Sequence, residues 1–199
     1  RLYYDATPPI NARHVVSGVL GCHNYYTSPV RITLSADDPA SGVASFAVIT
    51  GTTWYTTPMG GPHTVDLAGD NKYTLRYKAI DAAGNVQATE RTVSVSIDTT
   101  APRSPVDFQF EPVGWSSVPT FTLSWRSPLP YDFSGLDGGR YTLNRAPTGP
   151  TDGTSFDTIY SGGRYQTTVT VPGEGSHTLY LWLKDNACNS DVATAVTAT

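Results

Sequence analysis

Apolar and polar residues alternate along this chain in short runs, and clusters of Gly, Pro, Asn and Asp break the pattern roughly every eight to twelve residues. Strand side chains point to opposite faces in turn, so each run predicts a half-buried β-strand. Val30, Ile32, Leu34 and Ala36 share one face against Arg31, Thr33 and Ser35, and Leu75, Tyr77 and Ala79 share another. Strands are also predicted over residues 15–20, 43–49 and 93–97 and at Val65 and Leu67, within a seven-strand set. In the second half Phe121, Leu123 and Trp125 repeat the first of these faces and Leu179, Leu181 and Leu183 the second. No stretch keeps a helical period. The fold class is therefore all-β, with the strand spacing of a sandwich.

One run is written twice. Residues 73–85 and 177–189 each form an alternating strand that ends in Asp-x-x-x-Asn. Asp81 and Asn85 are expected to structure their turn by bonding its backbone, and Gly84 to supply the positive φ that the turn needs. Asp185 and Asn189 hold the same places in the second copy. The copies lie about a hundred residues apart, which predicts a tandem of two related β-domains. We place them at residues 1–101 and 102–199, with residues 98–102 as a linker stiffened by Pro102. The excursion through Pro147, Pro150, Asp152 and Gly153 is expected to be a tolerated surface insertion.

Composition narrows the function. A net charge of −4 without a basic cluster argues against a nucleic-acid partner. No apolar run approaches the ~20 residues of a membrane span, and no signal peptide is present. Arg1 is not a natural start and the chain stops within an alternating segment, so a piece of a longer protein is expected.

Residues 17–21, 25–37, 41–43, 77–86 and 97–102 carry a resemblance. Through Ser41-Gly-Val, Asp81-Ala-Ala-Gly-Asn85 and Ile97-Asp-Thr-Thr-Ala-Pro102, residues 10–102 resemble bacterial Ig-like repeats of the OmpL47 type. The second domain, through Asp132-x-Ser-Gly and Lys184-Asp-Asn-Ala-x-Asn189, resembles the fibronectin-III-like or Ig-like modules that follow such repeats. The resemblance implies two tandem sandwiches of a secreted or cell-surface bacterial protein, used as spacers, adhesive repeats or accessory domains of secreted enzymes. It implies no catalytic chemistry. Its pattern has Gly where this chain has Cys188.

In a secreted protein the two cysteines, Cys22 and Cys188, invite a disulfide. Cys22 falls in the turn after the first strand and Cys188 in the turn between the last two. In a head-to-tail tandem of seven-strand sandwiches those turns meet at the linker, so an interdomain bridge is expected. Two free thiols, or pairing with other chains, are the alternatives.

Oxygen-rich turns suit Ca²⁺, which takes six to eight oxygen ligands. Asp37, Asp38, Asp81 and Asn85 form one such group, and Asp132, Asp185 and Asn189 with linker Asp98 form the candidate calcium site at the joint. Against this, each Asp or Asn can satisfy its own turn, and no D-x-D-x-D-G loop is present. His14, His23, His63 and His177 show no metal-ligand spacing, and no nucleophile elbow or phosphate loop appears. Trp182 and Tyr180 fall on the face opposite Leu179, Leu181 and Leu183, and with Trp54 form a candidate sugar or partner platform. Trp125 belongs to the core.

Three functions follow as expectations. The first is a non-catalytic structural or adhesive module of a larger extracellular protein, with the chain's other domains and a surface glycan or protein as partners and no cofactor beyond calcium. The second is a carbohydrate-binding accessory region of a secreted hydrolase. The third is a strand-pairing subunit of a filament, since unpaired strand edges template further strands.

Overall fold

A computed structural model describes residues 1–199 throughout. Its contacts divide the chain into two compact units, Arg1–Leu20 with Asn24–Asp98, and Gly21–His23 with Thr99–Thr199. Both are built from β-strands, and the single helical element is a 3₁₀ turn at Val192–Thr194.

The first unit places β1 (Ile10–Ser17), β3 (Val30–Asp37) and β6 (Thr64–Leu67) in one antiparallel sheet, in the order β1-β3-β6. The other sheet contains β2 (Tyr25–Tyr26), β4 (Val43–Thr50), β5 (Thr53–Thr56), β7 (Asn71–Asp81) and β8 (Arg91–Ile97), in the order β2-β8-β7-β4-β5. The alternation explains the core. Ile32 and Leu34 come from one sheet, and Phe46, Val48, Leu75, Tyr77, Ala79 and Ile97 from the other; all are buried in one cluster.

The first strand departs from expectation. It runs over Ile10–Ser17 rather than residues 15–20, and Val19 and Leu20 are exposed. Pairing with β3 sets this register: Val16 lies opposite Ile32, and Arg13 reaches Asp37 at 2.9 Å. Ala12 is thereby turned into the core. The strand set also gains β2, a two-residue strand that runs parallel to β8.

The second unit repeats the plan. β9 (Val106–Glu111), β10 (Thr120–Arg126), β13 (Ile159–Ser161) and β14 (Arg164–Thr170) form a sheet in the order β13-β14-β10-β9. β11 (Leu136–Leu143), β12 (Thr154–Phe156), β15 (Leu179–Asp185) and β16 (Val196–Ala198) form the second, in the order β12-β11-β15-β16. Leu123, Trp125, Val169, Leu179, Leu181 and Leu183 are the buried core, rimmed by partly buried Phe108, Phe110, Phe121, Tyr141, Phe156 and Tyr165.

Candidate functional site

The repeated turn is a clasp of backbone and carboxylate. In the first unit Asp81 ends β7, is 2% exposed, and accepts the Asn85 N–H at 2.7 Å and the Asn85 side-chain amide at 2.8 Å. Its own N–H donates to the Asn85 carbonyl at 3.1 Å. Gly84 lies at φ +92°, a conformation that strains residues bearing a Cβ. A second turn braces the first. Asp38 accepts the N–H groups of Ala40, Ser41 and Gly42 through Oδ1, and the Gly42 carbonyl accepts the Ala82 N–H at 3.0 Å.

The second unit reproduces this arrangement. Asp185, at the end of β15, is fully buried and accepts the Asn189 N–H at 2.7 Å and its amide at 2.9 Å. Asp132 accepts the Gly135 N–H at 2.9 Å, and the Gly135 carbonyl accepts the Asn186 N–H at 2.9 Å. Cys188 stands at the position of Gly84, with φ +71°. Its sulfur is bonded to that of Cys22, with the two Cα atoms 5.4 Å apart. The Cys22 N–H donates to the Ala187 carbonyl, and the His23 ring meets the Asn186 carbonyl. Gly21–His23 is thus seated on the second unit's last turn.

Asp98, named with Asp132, Asp185 and Asn189 as a candidate calcium ligand, is buried, and its N–H donates to the Tyr26 carbonyl at 2.9 Å. Of the same group, Asp132 and Asp185 bring carboxylate oxygens within 4.8 Å of one another. The group that sequence reasoning did not assemble is in the first unit. Asp5, read as part of a polar lead-in, brings a carboxylate oxygen within 4.8 Å of those of Asp38 and Asp81. It accepts the Ser41 N–H at 3.1 Å, and its carbonyl accepts the Asn85 amide. The signal was the phrase Asp-x-Thr-x-Pro, which occurs at Asp5 as Asp-Ala-Thr-Pro-Pro and recurs at Asp98 with the same spacing, as Asp-Thr-Thr-Ala-Pro.

The aromatic platform needs correction. Trp182 faces away from Leu181 and Leu183, yet it is fully buried. The excursion after β11 folds over it: Trp182 Nε1 donates to the Pro150 carbonyl, and Arg140 bonds the carbonyls of Thr151 and Gly153. Arg145 and Asp152 pin this segment with two contacts at 2.5 and 2.6 Å, and Arg145 holds the Asp152 carboxyl well below its ordinary range, helped by the Thr148 N–H. Gly139 lies so close beneath that a Cβ there would stand 2.3 Å from the Trp182 carbonyl. Tyr180 is half-buried. Trp54 stays 43% exposed on edge strand β5, opposite Ile49, with the Arg76 guanidinium 5.8 Å from its ring centre. The most exposed tryptophan is Trp115, at 89%. It borders a cleft of about 940 Å³ at one end of the second unit, with Phe110, Phe121 and Leu179 in its wall and Glu174 and Ser176 on its lining.

All four histidines have partners: His14 with Tyr77, His23 with Asn186, His63 with Thr57, and His177 with Asn144 and Gly173. Burial lowers the pKa of His63, which packs edge-on against Phe46.

No family model matches the chain. Chitinase A1 of Niallia circulans is 40% identical over 79 residues, which is 38% of this chain and 11% of that protein. Among solved structures, the fibronectin(III)-like modules of Clostridium thermocellum CbhA superpose with a TM-score of 0.45 at 14% identity, covering 94% of this chain and 91% of that one. Chitinase ChiA74 from Bacillus thuringiensis gives 0.36 at 18% identity, over all of this chain and 30% of that one. A two-domain fibronectin type III segment of chicken tenascin gives 0.37 at 14% identity, over 96% and 98%. This chain spans about a tenth of the length of Chitinase A1.

Proposed function

We propose that the chain is a non-catalytic accessory region of a secreted protein, a tandem spacer between other domains. The observation that carries this is the use made of the repeated polar residues. Asp38, Asp81, Asp132 and Asp185 accept hydrogen bonds from their own turns, and Cys22 and Cys188 are joined to each other. Side chains of the types that do chemistry elsewhere hold backbone here. The similarity to a stretch of Chitinase A1 supports an extracellular setting in a longer chain, and the disulfide agrees with an oxidising compartment.

The test is small-angle scattering of the whole chain with and without a thiol reductant. A spacer gives a narrow size distribution when oxidised and a broader one when reduced. A distribution already broad in the oxidised protein overturns the reading.

A second reading, carbohydrate binding, is favoured by Trp115 at the mouth of its cleft, because exposed flat aromatics stack on sugar rings. Co-sedimentation with insoluble chitin and cellulose decides between them. A spacer stays in the supernatant; retention that Trp115→Ala abolishes would establish the second reading instead.

A further inference from the structure

Asp5, Asp38 and Asp81 stand at one end of the first unit with a carboxylate oxygen from each inside a 4.8 Å circle. None of the seven ion pairs in the protein involves them; the neighbouring Arg13 is bound to Asp37. Three carboxylates so close repel one another, and the repulsion grows as water is excluded. Asp5 accepts hydrogen bonds at Oδ1 from the N–H and the hydroxyl of Thr7, at 2.9 and 2.8 Å.

A second observation is independent of the charge. Three buried side-chain polar atoms in the whole chain lack a hydrogen-bond partner, and two of them are here: Oδ2 of Asp38 and Oγ of Ser41. No acceptor or donor meets the Ser41 hydroxyl at hydrogen-bonding geometry. A carboxylate oxygen sealed from solvent without a donor is costly unless something else neutralises it. The lone pairs left over after the turns are satisfied belong to hard oxygen atoms, the ligand class of Ca²⁺.

We propose that Asp5, Asp38 and Asp81, with the Ser41 hydroxyl, bind a calcium ion that fastens the N-terminal lead-in to the two turns of the first unit. Asp5 is the residue that gives the site its purpose. It comes from outside the sandwich's strands and already bonds both turns, through Ser41 N–H and the Asn85 amide. Waters complete the coordination shell, because four side-chain donors fall short of the six to eight that calcium takes. An affinity in the range of extracellular modules, with a Kd of about 0.1–1 mM, follows from so few protein ligands.

The experiment is calorimetric melting of the full chain, freed of metal by chelator, in 0 to 10 mM CaCl₂, with MgCl₂ as the control. The first unit's transition is expected to rise by about 5 °C in millimolar calcium. Magnesium should move it much less, since it demands near-ideal octahedral geometry. Asp5→Asn, which leaves both turns' own hydrogen bonds in place, is expected to melt normally without calcium and to lose the calcium-dependent rise. Asp38→Asn should do the same; if that variant fails to fold, Asp5→Asn alone decides. No calcium-dependent rise in the wild type overturns the proposal. So does a rise that survives Asp5→Asn but disappears in Asp185→Asn, which would locate the ion in the second unit.

Discussion

The two units share a clasp and differ in what surrounds it. In the first, thirteen buried residues form one cluster, mostly aliphatic, drawn from both sheets. In the second only six are buried in the corresponding cluster, and half-buried aromatics close its rim. The second unit also has supports that the first does not. These are the Cys22–Cys188 bond at its last turn and the 144–153 excursion, pinned by Arg145 and Asp152, over its outer face. A small core stabilises a domain weakly, and crosslinks or extra layers are the usual supplements. The same turn chemistry therefore serves two different ways of holding a sandwich together.

Tryptophan truncation should separate the units most sharply. Trp182→Ala removes a fully buried ring from beneath the excursion and is expected to cost about 4 kcal/mol. Trp54→Ala removes a ring 43% exposed on an edge strand, and about 1 kcal/mol is expected. Urea unfolding of each variant checks both, and equal losses would show that the excursion does not act as a layer. The clasps should instead behave alike. Asp81→Ala and Asp185→Ala each strip a buried acceptor from an Asn N–H and amide, so each is expected to cost about 2 kcal/mol without added metal. A difference well above 1 kcal/mol would break the equivalence of the two turns.

The smallest effect is a pH dependence confined to the second unit. The folded state holds the Asp152 carboxyl below its unfolded value, first through Arg145 and then through the Thr148 N–H. A lowered folded-state pKa contributes stability that is present above the unfolded value, about 3.9, and is lost as pH falls through the folded one. Asp152→Asn should thus be less stable than the wild type at pH 7, with the gap closing on acidification. A gap that stays constant down to pH 2 would mean that Asp152 acts by shape alone.

Much of this was legible in the residues themselves. The alternation at Leu75, Tyr77 and Ala79 and at Leu179, Leu181 and Leu183 identifies the core faces, because a strand has only two. The Asp-x-x-x-Asn spacing identifies the clasp, because the hydrogen bonds involved are local. Trp182 could not be placed the same way. Periodicity says which face a side chain takes, but what covers that face is decided by residues more than thirty positions away, at Pro150. Asp5 escaped for a related reason. Its partners are Ser41 and Asn85, and the Asp-x-Thr-x-Pro phrase that marks it does not name partners at such distances in sequence. The first strand was misplaced because Val19 and Leu20 look like core residues, while pairing with β3 is settled by the register of Val16 against Ile32.

The residence of Gly21–His23 in the second unit has a practical consequence for anyone who wishes to produce the halves separately. A gene cut between the codons for Asp98 and Thr99 honours the contact boundary but leaves Cys22 on the wrong side of it. The shortened second half would display Cys188 as an unpaired thiol at an exposed position. During purification in air, such a product would oxidise into covalent dimers and be mistaken for a self-associating protein. In this molecule the unit that folds together is not the unit that can be cloned.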